Sequence, residues 1–152
     1  MTGRDGGSDA ISGWQLAPGA TIWRKVLHGR YGGSRQGGIS PSRTTPNVLI
    51  FTDLRTGQQH GYLDRWEGDT LHYYGEGQKG DQQMVRGNKA ILNHVDDGRT
   101  LRVFDGVAGN VTYIGEFGLS GSDPWYWSRA PETGDGPLRD VVVFPLIPAG
   151  AF

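Results

Sequence analysis

A chain of 152 residues with 36% apolar and 11% aromatic side chains can build one hydrophobic core, and its length alone calls for no second domain. The formal charge of −1 gives no global argument for a polyanion partner, and the absence of Cys excludes a disulfide scaffold, a thiolate metal site and a Cys nucleophile while favouring the cytosol. No apolar run approaches the roughly 18 residues of a membrane helix and the N-terminus lacks a signal-peptide core, so neither a span nor secretion is expected.

Taken in order, residues 1–13 (MTGRDGGSDAISG) are polar, Gly-rich and aperiodic and read as a disordered leader, with a single domain over 14–152. From Ala10 to Thr52 there is no acidic residue, while Arg24, Lys25, Arg30, Arg35 and Arg43 all fall there, which makes that third of the chain locally basic. ATIWRKVL (20–27) is consistent with a strand anchored in the core by Trp23. A long glycine-rich loop is expected from His28 to Pro46, where Arg30, Ser34, Arg35 and Gln36 offer donors between glycines free to take positive φ. NVLIFTD (47–53) reads as a buried strand. His60–Asp64 and Thr70–Gly75 read as a strand pair joined across RWEGD, with Tyr73 and Tyr74 on opposite faces. A helix is expected from Asp81, acting as cap, to Asp97-Gly98, with Met84, Ile91, Leu92 and Val95 on one face; Gly87 within it either meets another backbone or marks a later start. Residues 99–105 and 110–119 form a second hairpin around GVAG, and LRDVVVFPLIP (138–148) closes the domain. Between these, SGSDPWYWSRAPETGDGP reads as a loop whose Trp125, Tyr126 and Trp127 plug the end of a barrel; Trp23 and Trp66 read as core. The fold class is α+β, a strongly curved, barrel-like, mostly antiparallel sheet with about one packed helix.

Chemistry concentrates in GYLDRWEGDTLHYYGEGQKG (61–80), where tyrosines 62, 73 and 74, Asp64 and a glycine-framed turn suit a flat polar ligand. The four histidines lack the i, i+4 spacing of a helical zinc pair, and no nucleophile elbow, Walker A loop or dinucleotide fingerprint occurs. Asp64, Asp69 and Glu76 with Lys79 faintly suggest a metal-dependent nuclease centre, without the spacing of such a motif.

Several motifs in one order make the chain similar to a known family: PGATIWRK, the His28 to Ile39 loop ending GGI, NVLIFTD, GYLD, LHYYGEGQ, GNKAI and APETGDGPLRDVVVFPL. Together they resemble the SET- and RING-associated (SRA) domain, a reader of modified cytosine in DNA, in the version found in bacterial modification-dependent (type IV, HNH-linked) restriction endonucleases. The resemblance implies an SRA/PUA-like fold and a non-enzymatic module that flips 5-methylcytosine or 5-hydroxymethylcytosine out of duplex DNA. It implies a base sandwiched by Tyr62 and Tyr73, an Asp64 carboxylate accepting from the cytosine N4 amine, and the backbone of Gly75, Glu76 and Gly77 facing the base edge. A carboxylate there rejects thymine, whose O4 is an acceptor. Arg35 and Gln36 are the expected groove residues beside Arg30 and Ser34, and Lys79, Arg86, Asn88 and Lys89 the expected contacts along the DNA backbone.

The chain departs from the animal members of that family in two places. Tyr62 stands one residue closer to Asp64, and the segment between Gly77 and Asn88 is too short for their major-groove finger, so no preference for hemimethylated sites is expected. The expected partners are duplex DNA carrying modified cytosine and a fused or separate nuclease in a cytoplasmic, nucleoid-associated setting, with no cofactor, metal or membrane. Two other classes stay open on the residues alone: a metal-dependent nuclease or base-modifying enzyme using the same carboxylates, and an RNA- or small-molecule-binding barrel.

Overall fold

A computed structural model of the chain describes residues 13–53, 63–132 and 135–149. The leader expected over 1–13 therefore lies outside the described residues except for Gly13. In chain order the elements are β1 (Thr21–Trp23), α1 (Arg24–Tyr31), β2 (Ile39–Pro41), β3 (Asn47–Thr52), β4 (Arg65–Glu67), β5 (Thr70–Tyr74), α2 (Arg86–Leu92), β6 (Thr100–Asp105), β7 (Asn110–Leu119), β8 (Tyr126–Pro131) and β9 (Leu138–Pro148). None of the described helices is long and apolar enough to cross a membrane.

The nine strands among the described residues join one mixed sheet with the path β2-β3-β6-β7-β9-β5-β4; β1 pairs with β7 and β8 with β9 off that path. Every pairing is antiparallel except β3 with β6, and the path runs open from β2 to β4 rather than closing into a barrel.

The apolar run of β3 is continuous because both faces of the sheet are covered there, as in any doubly buried strand. Val48 and Ile50 point into one cluster with Tyr73, Ile91, Phe144 and Leu146. Leu49 and Phe51 point into the other with Trp14, Leu27, Tyr31, Phe104 and Tyr113. Helix α2 closes the first face through Ala90 and Ile91, and α1 closes the second through Leu27 and Tyr31. The buried Arg102 guanidinium is compensated by the Asn47 Oδ1 at 3.0 Å, the Tyr113 hydroxyl at 3.2 Å and the Trp14 ring, whose centroid lies 4.4 Å away.

Several sequence expectations need correction. ATIWRKVL is a strand only over β1; from Arg24 the chain is helical, because Arg24, Leu27, His28 and Tyr31 form an i, i+3, i+4, i+7 stripe that is buried throughout. The stripe runs into the presumed loop, which shrinks to residues 32–38 and 42–46 on either side of β2. Trp23 is 59% exposed and is not a core anchor, and Trp66 is 36% exposed beside Phe117. Of the strand expected at His60–Asp64, residues 60–62 lie outside the described residues and Leu63 and Asp64 are not in a strand. The hairpin partner of β5 is instead RWE of β4, turning at Gly68-Asp69 with Gly68 at φ 59, a position a two-residue hairpin reserves for glycine.

Helix α2 starts at Arg86, so the alternative of a later start holds, and Val95 is 75% exposed beyond its end. Asp81 does not cap it; its carboxylate accepts the Asp140 N–H from β9 at 2.8 Å. Part of the expected aromatic loop is β8, which pairs along β9 from Tyr126 to Pro131. Trp125 packs against the core and its ring meets that of Trp127 edge-on at 5.1 Å, while Trp127 itself is 54% exposed. The strands at 47–52, 100–105, 110–119 and 138–148 stand as read.

Candidate functional site

Strand β5 carries the site. Alternation sends Tyr73 into the main core and Tyr74 to the opposite face, against Ala130, Val141 and Val143. Just before β4, Asp64 turns its carboxylate back onto β5: Oδ1 accepts the Tyr74 N–H at 2.7 Å and Oδ2 accepts the Thr52 hydroxyl at 2.7 Å. The residue keeps some solvent contact, yet its carboxyl is enclosed, and burial pushes its pKa up to about 6 against the pull of both hydrogen bonds. Tyr62 lies outside the described residues.

Tyr73 is 4% exposed, and its hydroxyl reaches the Gly38 carbonyl at 3.0 Å and the Phe51 carbonyl at 3.1 Å. This contact ties β5 to the 32–38 loop and explains Gly38: a Cβ there would stand 2.6 Å from the Tyr73 hydroxyl. The loop itself is held from below by Arg24. Its guanidinium donates to the carbonyls of Ser34 at 3.0 Å, Gly37 at 3.2 Å and Val107 at 2.8 Å, and lies 3.7 Å from the Phe51 ring centroid. Arg24 Nε also donates to His28 Nε2 at 3.1 Å, while His28 Nδ1 faces the Gly32 carbonyl at 2.8 Å. A neutral imidazole protonated at Nδ1 satisfies both contacts, and burial, with Arg24 and Arg35 adding to it, lowers the His28 pKa in the same direction. Ser34, Arg35 and Gln36 are left exposed at the loop's outer side, as is Arg30 on α1.

The turn after β5 is clamped from three directions. Gln82 Nε2 donates to the carbonyls of Gly75 at 2.7 Å and Gly77 at 3.1 Å, and its Oε1 accepts the Val142 N–H at 2.9 Å. Asn88 is 1% exposed; its Oδ1 accepts the Glu76 N–H at 2.8 Å and its Nδ2 donates to the carbonyls of Glu76 at 3.1 Å and Gln83 at 2.9 Å. Arg139 Nη1 donates to the carbonyls of Gly77 at 2.6 Å and Gly80 at 3.2 Å. The turn's polar backbone thus faces the protein, with the Gly77 N–H left without a protein acceptor among the described residues. Asn88 is placed as a brace for this turn, its amide fully engaged, and not as an outward-facing donor. The Glu76 carboxylate accepts the Gly87 N–H at 2.8 Å, so Gly87 sits against a side chain and not, as the other alternative had it, against another backbone: a Cβ there would meet the carboxylate at 2.7 Å.

Asp64, Tyr73 and the Gly75–Gly77 turn are therefore gathered around the end of β5, while Lys79, Arg86 and Lys89 project from the exposed surface beyond it. Sequence reasoning missed the residues that hold the site: Thr52, Arg24, Gln82 and Arg139. Only Thr52 carried a signal, as a polar residue ending a buried strand. Among the described residues no group of three His, Asp or Glu side chains gathers to hold a metal.

Among curated proteins no sequence matches the chain. Among solved structures, it is similar to the sulfur-binding and SRA domains of ScoMcrA complexed with phosphorothioated DNA, at 22% identity and a TM-score of 0.64 over 88% of this chain and 40% of that one. The structure of the type IV phosphorothioation-dependent restriction endonuclease ScoMcrA matches at 21% identity and a TM-score of 0.62, covering 88% of this chain and 28% of that one. The SUVH5 SRA domain in complex with hemimethylated CG DNA matches at 25% identity and a TM-score of 0.61 over 90% of both chains. The chain thus spans well under half of the ScoMcrA chains and nearly all of the SUVH5 domain. The family model described as ScoMcrA-like, SRA domain matches residues 18–151, and the chain belongs to that SRA family.

Proposed function

We propose that this chain is a DNA-binding module that accepts a modified cytosine, 5-methylcytosine or 5-hydroxymethylcytosine, flipped out of a duplex, and directs a linked nuclease to it. The observation that carries the reading is Asp64. Its carboxylate is enclosed and fixed by the Thr52 hydroxyl and by the Tyr74 N–H, which lies in the chain between Tyr73 and the Gly75–Gly77 turn. Each carboxylate oxygen accepts one hydrogen bond and has a lone pair left for the cytosine N4 amine. The Gly77 N–H is available to an acceptor on the base edge. Tyr73, with its ring in the core and its hydroxyl bonded, is held as a rigid wall on β5. Extrusion costs a few kcal/mol and stacking returns about 1–3 kcal/mol per base, so a hydrogen bond to N4 decides the balance.

The ScoMcrA relative, a restriction endonuclease by its description, supports the nuclease link. We place this module in a bacterial, HNH-linked system acting in the cytoplasm on nucleoid or invading DNA, with cutting left to the linked domain. The test is titration of one short duplex carrying cytosine, 5-methylcytosine or 5-hydroxymethylcytosine at a single site, at fixed salt, with wild type and Asp64→Asn. The wild type binds a modified duplex more tightly, and Asp64→Asn loses about 10- to 100-fold of that preference, as expected for a hydrogen bond to a charged acceptor. Equal binding of all three duplexes by the wild type would refute the reading.

A further inference from the structure

Beside the clamped turn, between α2 and the corner leaving β2, lies a cleft of about 530 Å³ with a cationic rim. Arg43, Arg86, Lys89 and Arg99 line it, against Glu76 and Asp97 as the only acidic lining residues. The Glu76 carboxylate is engaged by the Gly87 N–H, and Arg99 spends one Nη2 donor on the Ser42 carbonyl at 3.0 Å. Among the described residues, Arg43, Arg86 and Lys89 pair with no carboxylate. Arg86 also has φ 50, the one positive φ among described residues other than glycine. Such a backbone is strained for a non-glycine residue, and residues held in it cluster where ligands bind.

The cleft's position points to its occupant. Its wall includes Glu76 of the turn and Ile39, which directly follows the Gly38 that receives the Tyr73 hydroxyl. It therefore starts at the Glu76 side of the proposed base site and runs to Arg43 and Arg99 beside Asn47, at the opposite end of β3 from Thr52 and Asp64, and unpaired cations in an open cleft suit phosphodiester oxygens. We infer that this cleft holds the sugar–phosphate backbone of the duplex as it leads away from the flipped nucleotide, with Arg43 and Arg99 as contacts in addition to Arg86 and Lys89. The inference rests on the modified-DNA reading for its ligand.

The test is the salt dependence of binding to modified and unmodified duplexes by Arg43→Gln, Arg99→Gln and the double variant. Each lost phosphate contact makes the slope of log affinity against log salt shallower by about 0.9, so the double variant shifts it by nearly 2 and weakens binding about tenfold or more at moderate salt. The loss is equal for both duplexes, so their ratio is unchanged, and Arg99→Lys, which keeps the charge, retains the wild-type slope. An unchanged slope and affinity in the double variant would overturn the inference. Should Arg99→Gln fail to fold, the exposed pair Arg43→Gln with Lys89→Gln gives the same reading. A wild type that binds both duplexes equally would remove the base-flipping reading while leaving the slope to report on the cleft.

Discussion

In the proposed function Asp64 decides the chemistry, because it is a carboxylate held near the edge of its charged range. Its folded-state pKa of about 6 lies above the ordinary 3.8, so folding favours the protonated form. That contribution to stability is complete below pH 3.8 and is lost as the pH rises through about 6. Wild type should therefore gain stability relative to Asp64→Asn as the pH is lowered from about 7.5 to about 4.5, measured by denaturant unfolding at each pH. Binding follows the opposite sign: the charged carboxylate is the stronger N4 acceptor, so the preference for modified DNA falls below about pH 6 in wild type and stays low and flat in Asp64→Asn. Tyr73 separates two roles in one side chain. Tyr73→Phe keeps the ring and removes the hydroxyl that bridges Gly38 and Phe51, so it should cost about 1 kcal/mol in unfolding experiments and weaken DNA binding while leaving the modified-to-unmodified ratio intact. Tyr73→Ala is a poorer test, because emptying a core position costs about 3–5 kcal/mol and confounds binding with folding.

At the scale of elements, the site is a turn and a loop held by groups on neighbouring pieces. Gly87 at the start of α2 is the tightest joint, since its N–H and its missing side chain both serve the Glu76 carboxylate. Gly87→Ala should cost about 1–3 kcal/mol of stability, by thermal or denaturant unfolding, and weaken binding through displacement of the turn. These joints also explain what the sequence disclosed. Strands β3, β6, β7 and β9 were legible because each is an apolar, β-branched run bounded by turn residues. Helix α1 was not, because two of its four buried positions are Arg24 and His28, which a hydrophobic pattern counts as surface. Strand β8 was hidden by its aromatic cluster, and the start of α2 by glycine and by a backbone at positive φ. Motif resemblance pointed to Asp64 and Tyr73 as candidates, yet Gln82, Asn88 and Arg139 look like ordinary polar residues until the fold buries them against backbone carbonyls.

For the whole molecule, one open sheet covered by a helix on each face brings a basic N-terminal third and the β5 site to neighbouring places. The Arg24 guanidinium, though part of that basic run, is spent inside the protein, so the attraction for DNA falls to exposed Lys25, Arg30, Arg35 and Arg43. A near-neutral chain with a local cationic face binds duplexes weakly without a specific anchor, and in the proposed function the flipped base supplies that anchor. The central claim is extrusion of the modified base, and the most direct measurement places 2-aminopurine next to a single 5-methylcytosine or 5-hydroxymethylcytosine in a duplex and follows its fluorescence. Fluorescence should rise when the wild-type chain binds a modified duplex, stay flat with the unmodified duplex, and rise much less with Asp64→Asn. Saturable, modification-dependent binding with no rise in fluorescence would mean that the base stays stacked, and would contradict the account.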